Sequence, residues 1–291
     1  MSKKLTRSEL FGQVVMHIIF ITMSVIFLYP VILTFMVSIS SETTVMRYGM
    51  QLIPREFSLD AYRLVFSDTM VLNAYIVTLS VTLIGTLLSV LICGMAGFAM
   101  SVQTLRYRNA CALFFYIPMV FSAGLLPWFL VSTQFYGLTN RPWALVLPLL
   151  VSSFNVFLAR NYFRTIPASL IESAQIDGCT PIRTMFMIIM PLSAPIIATL
   201  ALFIGLTYWN DFSMSLWFIN NPRLFPVQYM LFRIESIMDH IRMHGAMGDI
   251  QLPTQTYRIA TLFVTLGPIV FVYPFIQRYF VKGIMIGAVK G

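Results

Sequence analysis

Charge is what this sequence has least of. Its 291 residues include 11 Asp and Glu and 19 Lys and Arg, 10% in all, where soluble domains carry about 25%. That shortage excludes a chain solvated by water on every side. Cysteine is scarce too. Cys93 and Cys111 sit in apolar runs and Cys179 in a polar segment, which excludes a disulfide framework and leaves them as packing residues. No Gly-x-x-x-x-Gly-Lys-Ser/Thr occurs, so the chain has no phosphate cradle of its own; His-Glu-x-x-His and Gly-x-Ser-x-Gly are missing as well. His240 and His244 stand four apart with Asp239 beside them. A zinc site takes three or four ligands, no cysteine or further histidine is near, and the pair reads as solvated loop histidines. The sequence offers no catalytic equipment, and no metal site is expected.

What is abundant is apolar. Hydrophobic residues make up 58%, and charge-free runs cover residues 11–41, 69–105, 109–140, 142–159, 184–210 and 259–277. A helix needs roughly 20 apolar residues to cross about 30 Å of hydrocarbon. The runs therefore predict an all-α integral membrane protein with six transmembrane helices. The run 212–222 is too short to span and reads as interfacial or buried. Basic residues set the orientation. With the N-terminus inside, the inner segments hold eleven Lys and Arg and three acids, the outer ones eight of each, so the whole formal charge of +8 falls on the inner side. Both termini are expected to be cytoplasmic, and the basic balance belongs to membrane orientation, not to nucleic acid. The opening MSKKLTRSEL precedes an apolar stretch too long for a secretion signal, with no small-x-small cleavage pattern. It predicts a retained first helix.

Two outer loops are long, 42–68 and 211–258. In the second, Phe225, Met230, Leu231, Ile234, Ile237 and Met238 recur at helical intervals, predicting a partly amphipathic outer helix. In the second span Gly85, Ser89, Cys93, Gly97 and Ser101 recur every fourth residue. Such a face lets helices approach closely in lipid; it fits packing within one bundle, or a seam that slides during a transport cycle. The spans hold no Asp, Glu, Lys or Arg, and only His17 as a titratable imidazole. That argues against a self-sufficient secondary transporter or channel, which would place ionisable groups at mid-membrane.

Between the fourth and fifth runs lies LIESAQIDGCTPIRTMFMIIMP, residues 170–191. Just before it, Pro167 suits the first turn of a helix, and Ser169 with Glu172 has capping-box spacing. Gly178 can take the left-handed conformation that stops a helix. Thr180 is a good cap for the next one, with Pro181 behind it. Pro191 and Pro195 predict a bend as that helix enters the bilayer. The pattern is a helix, a sharp turn and a second helix, held between two spans at the inner face. It fits a docking surface that transmits force, or a helix resting on the membrane.

The segment resembles the signature of binding-protein-dependent import permeases: Glu-Ala-Ala, three residues, Gly, nine residues, Ile, one residue, Leu-Pro. Here it reads Glu172-Ser173-Ala174, Gly178, Ile188 and Met190-Pro191, with every spacing intact and two conservative departures, Ser173 and Met190. In that family the loop is the coupling helix, which inserts into a groove of the ATP-hydrolysing subunit. The resemblance thus gives Glu172, Ser173, Ala174, Asp177, Gly178 and Pro191, within a coupling loop 160–191, the task of ATPase coupling. AGFAMS, TYWNDF and the tail YPFIQRYFVKGIMIGAVKG look like sugar-uptake permeases of the maltose-transporter second-permease type.

The likeness covers residues 71–291 as a permease core; residues 1–70 supply one helix and the first outer loop. It implies the type I ABC importer transmembrane fold in the plasma (inner) membrane of a bacterium. The chain would form half of the translocation pathway for a carbohydrate, oligosaccharide or polysaccharide, delivered by an extracytoplasmic binding protein. Its partners would be a homologous second permease and two ABC ATPase subunits, which bind ATP and Mg; this chain would hold no cofactor. The resemblance places Tyr208, Trp209, Asn210 and Asp211 near the outer mouth as substrate-pathway residues, while Trp209 also suits an interfacial aromatic belt by itself. Within the same class, a non-sugar solute is the alternative.

Overall fold

The computed structural model describes residues 7–244, 255–268 and 270. These fall into two compact units, one drawn from Met1–Asp68 and Ile234–Leu266, the other from Thr69–Arg233 and Gly267–Gly291. No strand forms among the described residues; one isolated bridge joins Ser40 to Phe57.

In the first unit the opening apolar run makes one helix, α1 (Arg7–Ser38), whose side chains from 11 to 32 all stand exposed. A helix apolar on every side and bare on every side calls for lipid around it. The short α2 (Glu42–Tyr48) and α3 (Asp60–Ser67) fill the loop that follows. Glu42 also starts the helix at 255–268. Its carboxylate accepts from the Gln255 N–H at 3.0 Å, the Thr256 N–H at 2.9 Å and the Thr256 hydroxyl at 2.7 Å. A carboxylate on first-turn donors is favoured by both hydrogen bonding and the helix dipole. Val37, Val45 and Ile259 close a small core beside it.

The second unit is built on α4 (Thr69–Ser101), whose 33 residues span about 50 Å at 1.5 Å each. After it come α5 (Arg108–Val120), then α6 (Leu125–Leu130), which runs into a π-turn over Val131–Phe135. Two 3-10 turns, Pro142–Leu145 and Leu147–Leu149, lead to α7 (Ser153–Phe163). Next are α8 (Ala168–Ile176) and α9 (Pro181–Thr184), a π-turn over Met185–Ile189, and α10 (Met190–Leu192). The rest is α11 (Ala194–Asn210), α12 (Ser213–Phe218) and the opening of α13 (Val227–His244), whose residues from Ile234 belong to the first unit. α4 packs against α7 and α11, and α5 rests on α4 and α7. Their shared core includes Val90, Phe98, Ala159, Phe163, Ile189 and Leu200.

Charge-free runs are not all single helices. Among the described residues only Phe11–Ser38 and Thr69–Ser101 are unbroken and long enough to cross a membrane. Three further pairs bend sharply: Arg108–Val120 with Leu125–Phe135 by 114°, Pro142–Leu149 with Ser153–Phe163 by 50°, and Pro181–Leu192 with Ala194–Asn210 by 87°. The described residues thus hold two spans, or five if each bent pair is one span. The causes are local. Gly124 at φ +82 breaks the first pair, and Pro142 and Pro148 keep 142–149 in tight turns. Pro191 and Pro195 remove helix donors on either side of Ser193, where the expected bend is found. The run 259–277 lies only partly within the described residues, and the tail from Tyr273 to Gly291 lies outside them. The short run 212–222 forms α12 with Phe218 and Ile219 buried. The helix expected from the intervals of Phe225 to Met238 exists as α13, which begins after Phe225.

Candidate functional site

At the end of the second unit where α4 finishes, the chain leaves α7 through two closures, Thr165 N–H to the Tyr162 carbonyl (2.9 Å) and Ile166 N–H to the Phe163 carbonyl (3.2 Å). α8 begins at Ala168, so Pro167 occupies the cap position. Ser169 is already helical and cannot close a capping box with Glu172; that expectation is corrected by two residues of register.

The far end of α8 matches the reading of Gly178. Its φ is +77, its N–H donates to the Gln175 carbonyl at 3.0 Å, and the Cys179 N–H donates to the Ala174 carbonyl at 2.9 Å. This paired closure satisfies the last carbonyls of the helix and needs a residue at ease in the left-handed region. Thr180 then caps α9, its hydroxyl accepting from the Arg183 N–H at 3.4 Å, with Pro181 in the first turn.

α8 has two faces. Ile166 and Ile171 pack against the core that Phe98, Phe163 and Met185 share, and Ala174 is only 3% exposed. Glu172, Ser173, Asp177, Gly178 and Pro191 face out. So do Ile176 and Ile182, at 86% and 71% exposed, which the sequence reading passed over although both are apolar residues in an otherwise polar turn. Neither Glu172 nor Asp177 pairs with a cation among the described residues. Beneath the helix a cavity of about 440 Å3 separates Gln175 and Ile182 from Phe98, Val102 and Arg106. The arrangement is an exposed stud, seated partly on a shared core and partly over that cavity.

The small-residue stripe explains how that core is locked. Gly85, Ser89, Cys93, Gly97 and Ser101 are all buried. A Cβ on Gly85 would lie 2.5 Å from the Tyr208 ring, and one on Gly97 would lie 2.6 Å from the Ala159 Cβ. The Tyr208 hydroxyl donates to the Val146 carbonyl at 2.9 Å and lies 3.1 Å from the Ser89 hydroxyl. The stripe packs α4 against α7 and α11 within one bundle.

TYWNDF is divided by the fold. Tyr208 and Trp209 are buried, at 3% and 6% exposed. Asn210 is exposed; its Nδ2 donates to the Leu206 carbonyl at 2.9 Å, and its Oδ1 accepts from Gln228 at 3.4 Å. Asp211 starts α12, accepting from the Ser213 hydroxyl at 2.8 Å and the Met214 N–H at 3.0 Å. Near the start of α4, the Asn140 side chain accepts from the N–H groups of Asn220 and Asn221 at 2.6 and 3.0 Å, and Asn73 donates to the Arg223 carbonyl at 2.8 Å. Arg141 and Arg223 flank that junction, both exposed. Among the described residues no three His, Cys, Asp or Glu gather as a metal site requires; the side chains of Asp239 and His244 lie outside them.

Residues 95–286, which contain the stopped helix, match the family described as binding-protein-dependent transport system inner membrane component. The chain belongs to that family. It is similar to the polygalacturonan/rhamnogalacturonan transport system permease protein YtcP of Bacillus subtilis (strain 168), 38% identical over 244 residues, 82% of this chain and 84% of that one. It is also similar to the arabinooligosaccharides transport system permease protein AraQ of Halalkalibacterium halodurans, 30% identical over 270 residues, 90% and 91% of the two chains. Among solved structures it resembles a bacterial ABC transporter involved in the import of the acidic polysaccharide alginate, with TM-score 0.84 and 25% identity, covering 96% of this chain and 100% of that one. The permease is accordingly a multi-pass inner-membrane subunit of a bacterial ABC importer, all-helical and non-catalytic. ATP binds a partner ATPase, and a binding protein serves the complex.

Proposed function

We propose that this permease forms half of the pathway for a uronate-containing oligosaccharide and that α8 couples it to an ATPase. The observation that carries the coupling is an exposed, glycine-stopped helix seated on the core of α4, α7 and α11. Closing of the ATPases would push on Glu172, Ser173 and Asp177, with Ile176 and Ile182 giving an apolar grip. Gly178 and Pro191 shape the stud, and the buried Ala174 is part of its seat. Because Ile166 and Ile171 share their contacts with Met185 and Ile189, the displacement would reach α7 and the root of α11 together.

The topology we infer is six spans: α1, α4, the three bent pairs and the run 259–277, with both termini cytoplasmic as the basic residues direct. Residues 71–291 form the permease core, and residues 1–70 are the N-terminal transmembrane helix and the first outer loop. The assembly contains a homologous second permease, two ATPase subunits and the binding protein. At the outer mouth Asn210 offers its amide to the sugar, while Tyr208, Trp209 and Asp211 hold it in place.

The uronate reading rests on charge. The outer charges balance over the whole chain, yet not in the second unit. There Arg141, Arg223 and Arg233 face a single outer carboxylate, Asp211, whose two oxygens are engaged in starting α12. An excess of arginine suits carboxylate recognition, and the polygalacturonan and alginate importers among the similar proteins support the same class. The test is ATP-driven uptake by proteoliposomes holding the whole transporter and its binding protein. Arg141→Gln with Arg223→Gln should lower oligogalacturonate uptake several-fold and leave a neutral arabino-oligosaccharide unchanged. Equal losses for both sugars would overturn the uronate assignment.

A further inference from the structure

Three guanidinium groups gather where α5 starts and α7 ends. Arg108 opens α5, Arg160 lies in the last turn of α7 and Arg164 follows it. α5 rests on α7, and the charges of Arg164 and Arg108 both act on Arg160. No carboxylate among the described residues pairs with any of the three. The Arg160 Nε is closed off from solvent and has no hydrogen-bond partner, and its guanidinium lies 5.8 Å from the centre of the Phe157 ring. Like charges held together, with a buried donor unused, call for an anion.

The neighbouring surface says which kind. α5 has no buried residue, and Leu113, Phe114 and Ile117 along it are 57%, 70% and 48% exposed. An anionic cluster partner that also covers this wall must carry both a negative head and apolar chains. We propose that Arg108, Arg160 and Arg164 bind the phosphate of an anionic phospholipid of the inner leaflet, with its acyl chains along α5. Guanidinium forks match phosphate oxygens in pairs, and basic pockets between helices on the cytoplasmic side suit lipid head groups. A soluble phosphate would use the arginines and leave the apolar wall uncovered. The site lies at the entrance of the coupling loop, just ahead of α8, and away from the outer mouth, so it would tune the transporter to its membrane without touching sugar.

The assembled transporter in mild detergent is offered phosphatidylglycerol or phosphatidylcholine, with and without inorganic phosphate, and bound lipid is counted by native mass spectrometry. Near an anionic surface each basic side chain contributes about fivefold. R108Q/R160Q/R164Q should therefore weaken phosphatidylglycerol retention about a hundredfold, while phosphatidylcholine stays unchanged. R108K/R160K/R164K, which keeps the charge and loses the paired forks, should fall between it and wild type. Should the triple Gln variant fail to assemble, Arg164→Gln alone serves, because its exposed side chain makes no hydrogen bond within the described fold; about fivefold weaker retention is expected. Displacement of the lipid by millimolar inorganic phosphate would assign the site to a free anion and overturn the proposal. Loss of the ATPase subunit with lipid retention intact would assign it to the partner, and equal retention of both lipids would show no head-group site; each also overturns it.

Discussion

Replacing Gly178 isolates the turn after α8 from everything around it. Its φ is +77, and a Cβ built there meets no atom within 4 Å, so a side chain adds backbone strain and no clash. For an L residue in the left-handed region that strain is about 1–2 kcal/mol, less for asparagine and more for a β-branched residue. Against it stand two closures, Gly178 N–H to Gln175 and Cys179 N–H to Ala174, each contributing about 1 kcal/mol net. Alanine should therefore weaken the turn by roughly 5- to 30-fold in population, and valine should open it. Coupled uptake is expected to fall in the order wild type, Gly178→Asn, Gly178→Ala, Gly178→Val. The assay is ATP-driven uptake in proteoliposomes, beside sugar-stimulated ATP hydrolysis and the amount of complex in the membrane. Uncoupling is the signature: basal hydrolysis persists while stimulation and uptake are lost. Wild-type uptake by Gly178→Val, or losses that only follow reduced insertion, would refute the reasoning.

Tyr208→Phe removes the stronger of two donors to the Val146 carbonyl, which keeps the Leu149 N–H at 3.3 Å, and should lower stability by about 1 kcal/mol, read as a lower unfolding midpoint of the purified complex. Gly85→Ala forces a Cβ to 2.5 Å from the Tyr208 ring, whereas at Gly94 the nearest atom is 3.7 Å away; assembly should fall for the first and hold for the second, measured as complex recovered from membranes. Trp209→Ala should lose assembly and uptake together, since the ring is buried, while Asn210→Ala should lower uptake with assembly intact. The reverse pattern in the same two assays would put Trp209 on the pathway and Asn210 in the fold.

What could be read from the residues was local. Gly178, Thr180 and Pro181 set their own backbone, so the turn between α8 and α9 follows from four neighbours. The bend near Pro191 and Pro195 follows from missing donors. The breaks at Gly124 and around Pro148 were harder, because a run without charge gives no mark of where a helix stops. The facing of α11 was hidden for the same reason. That helix is apolar on all sides, so nothing in TYWNDF tells that Tyr208 turns toward Gly85 and Ser89 while Asn210 turns away. Ala174 is a further instance. The resemblance gives it to the ATPase contact, yet it is buried, so a charge there would unseat α8 before it met an ATPase. The charge excess of the second unit also escaped a count over the whole chain, since the acids that balance it, Glu42, Glu56, Asp60, Asp68, Glu235, Asp239 and Asp249, belong to the other unit.

Coupling requires that α8 touch the ATPase and move with it. Ser173 is exposed on that helix, and Cys179 is the one native thiol nearby in the same loop. With Cys179→Ser in place, Ser173→Cys in the assembled transporter should be joined to an ATPase subunit by a short thiol-to-amine cross-linker, with a yield that changes between nucleotide-free and ATP-bound states. Labelling of that cysteine from outside intact cells, or no adduct with the ATPase in either state, would contradict the account.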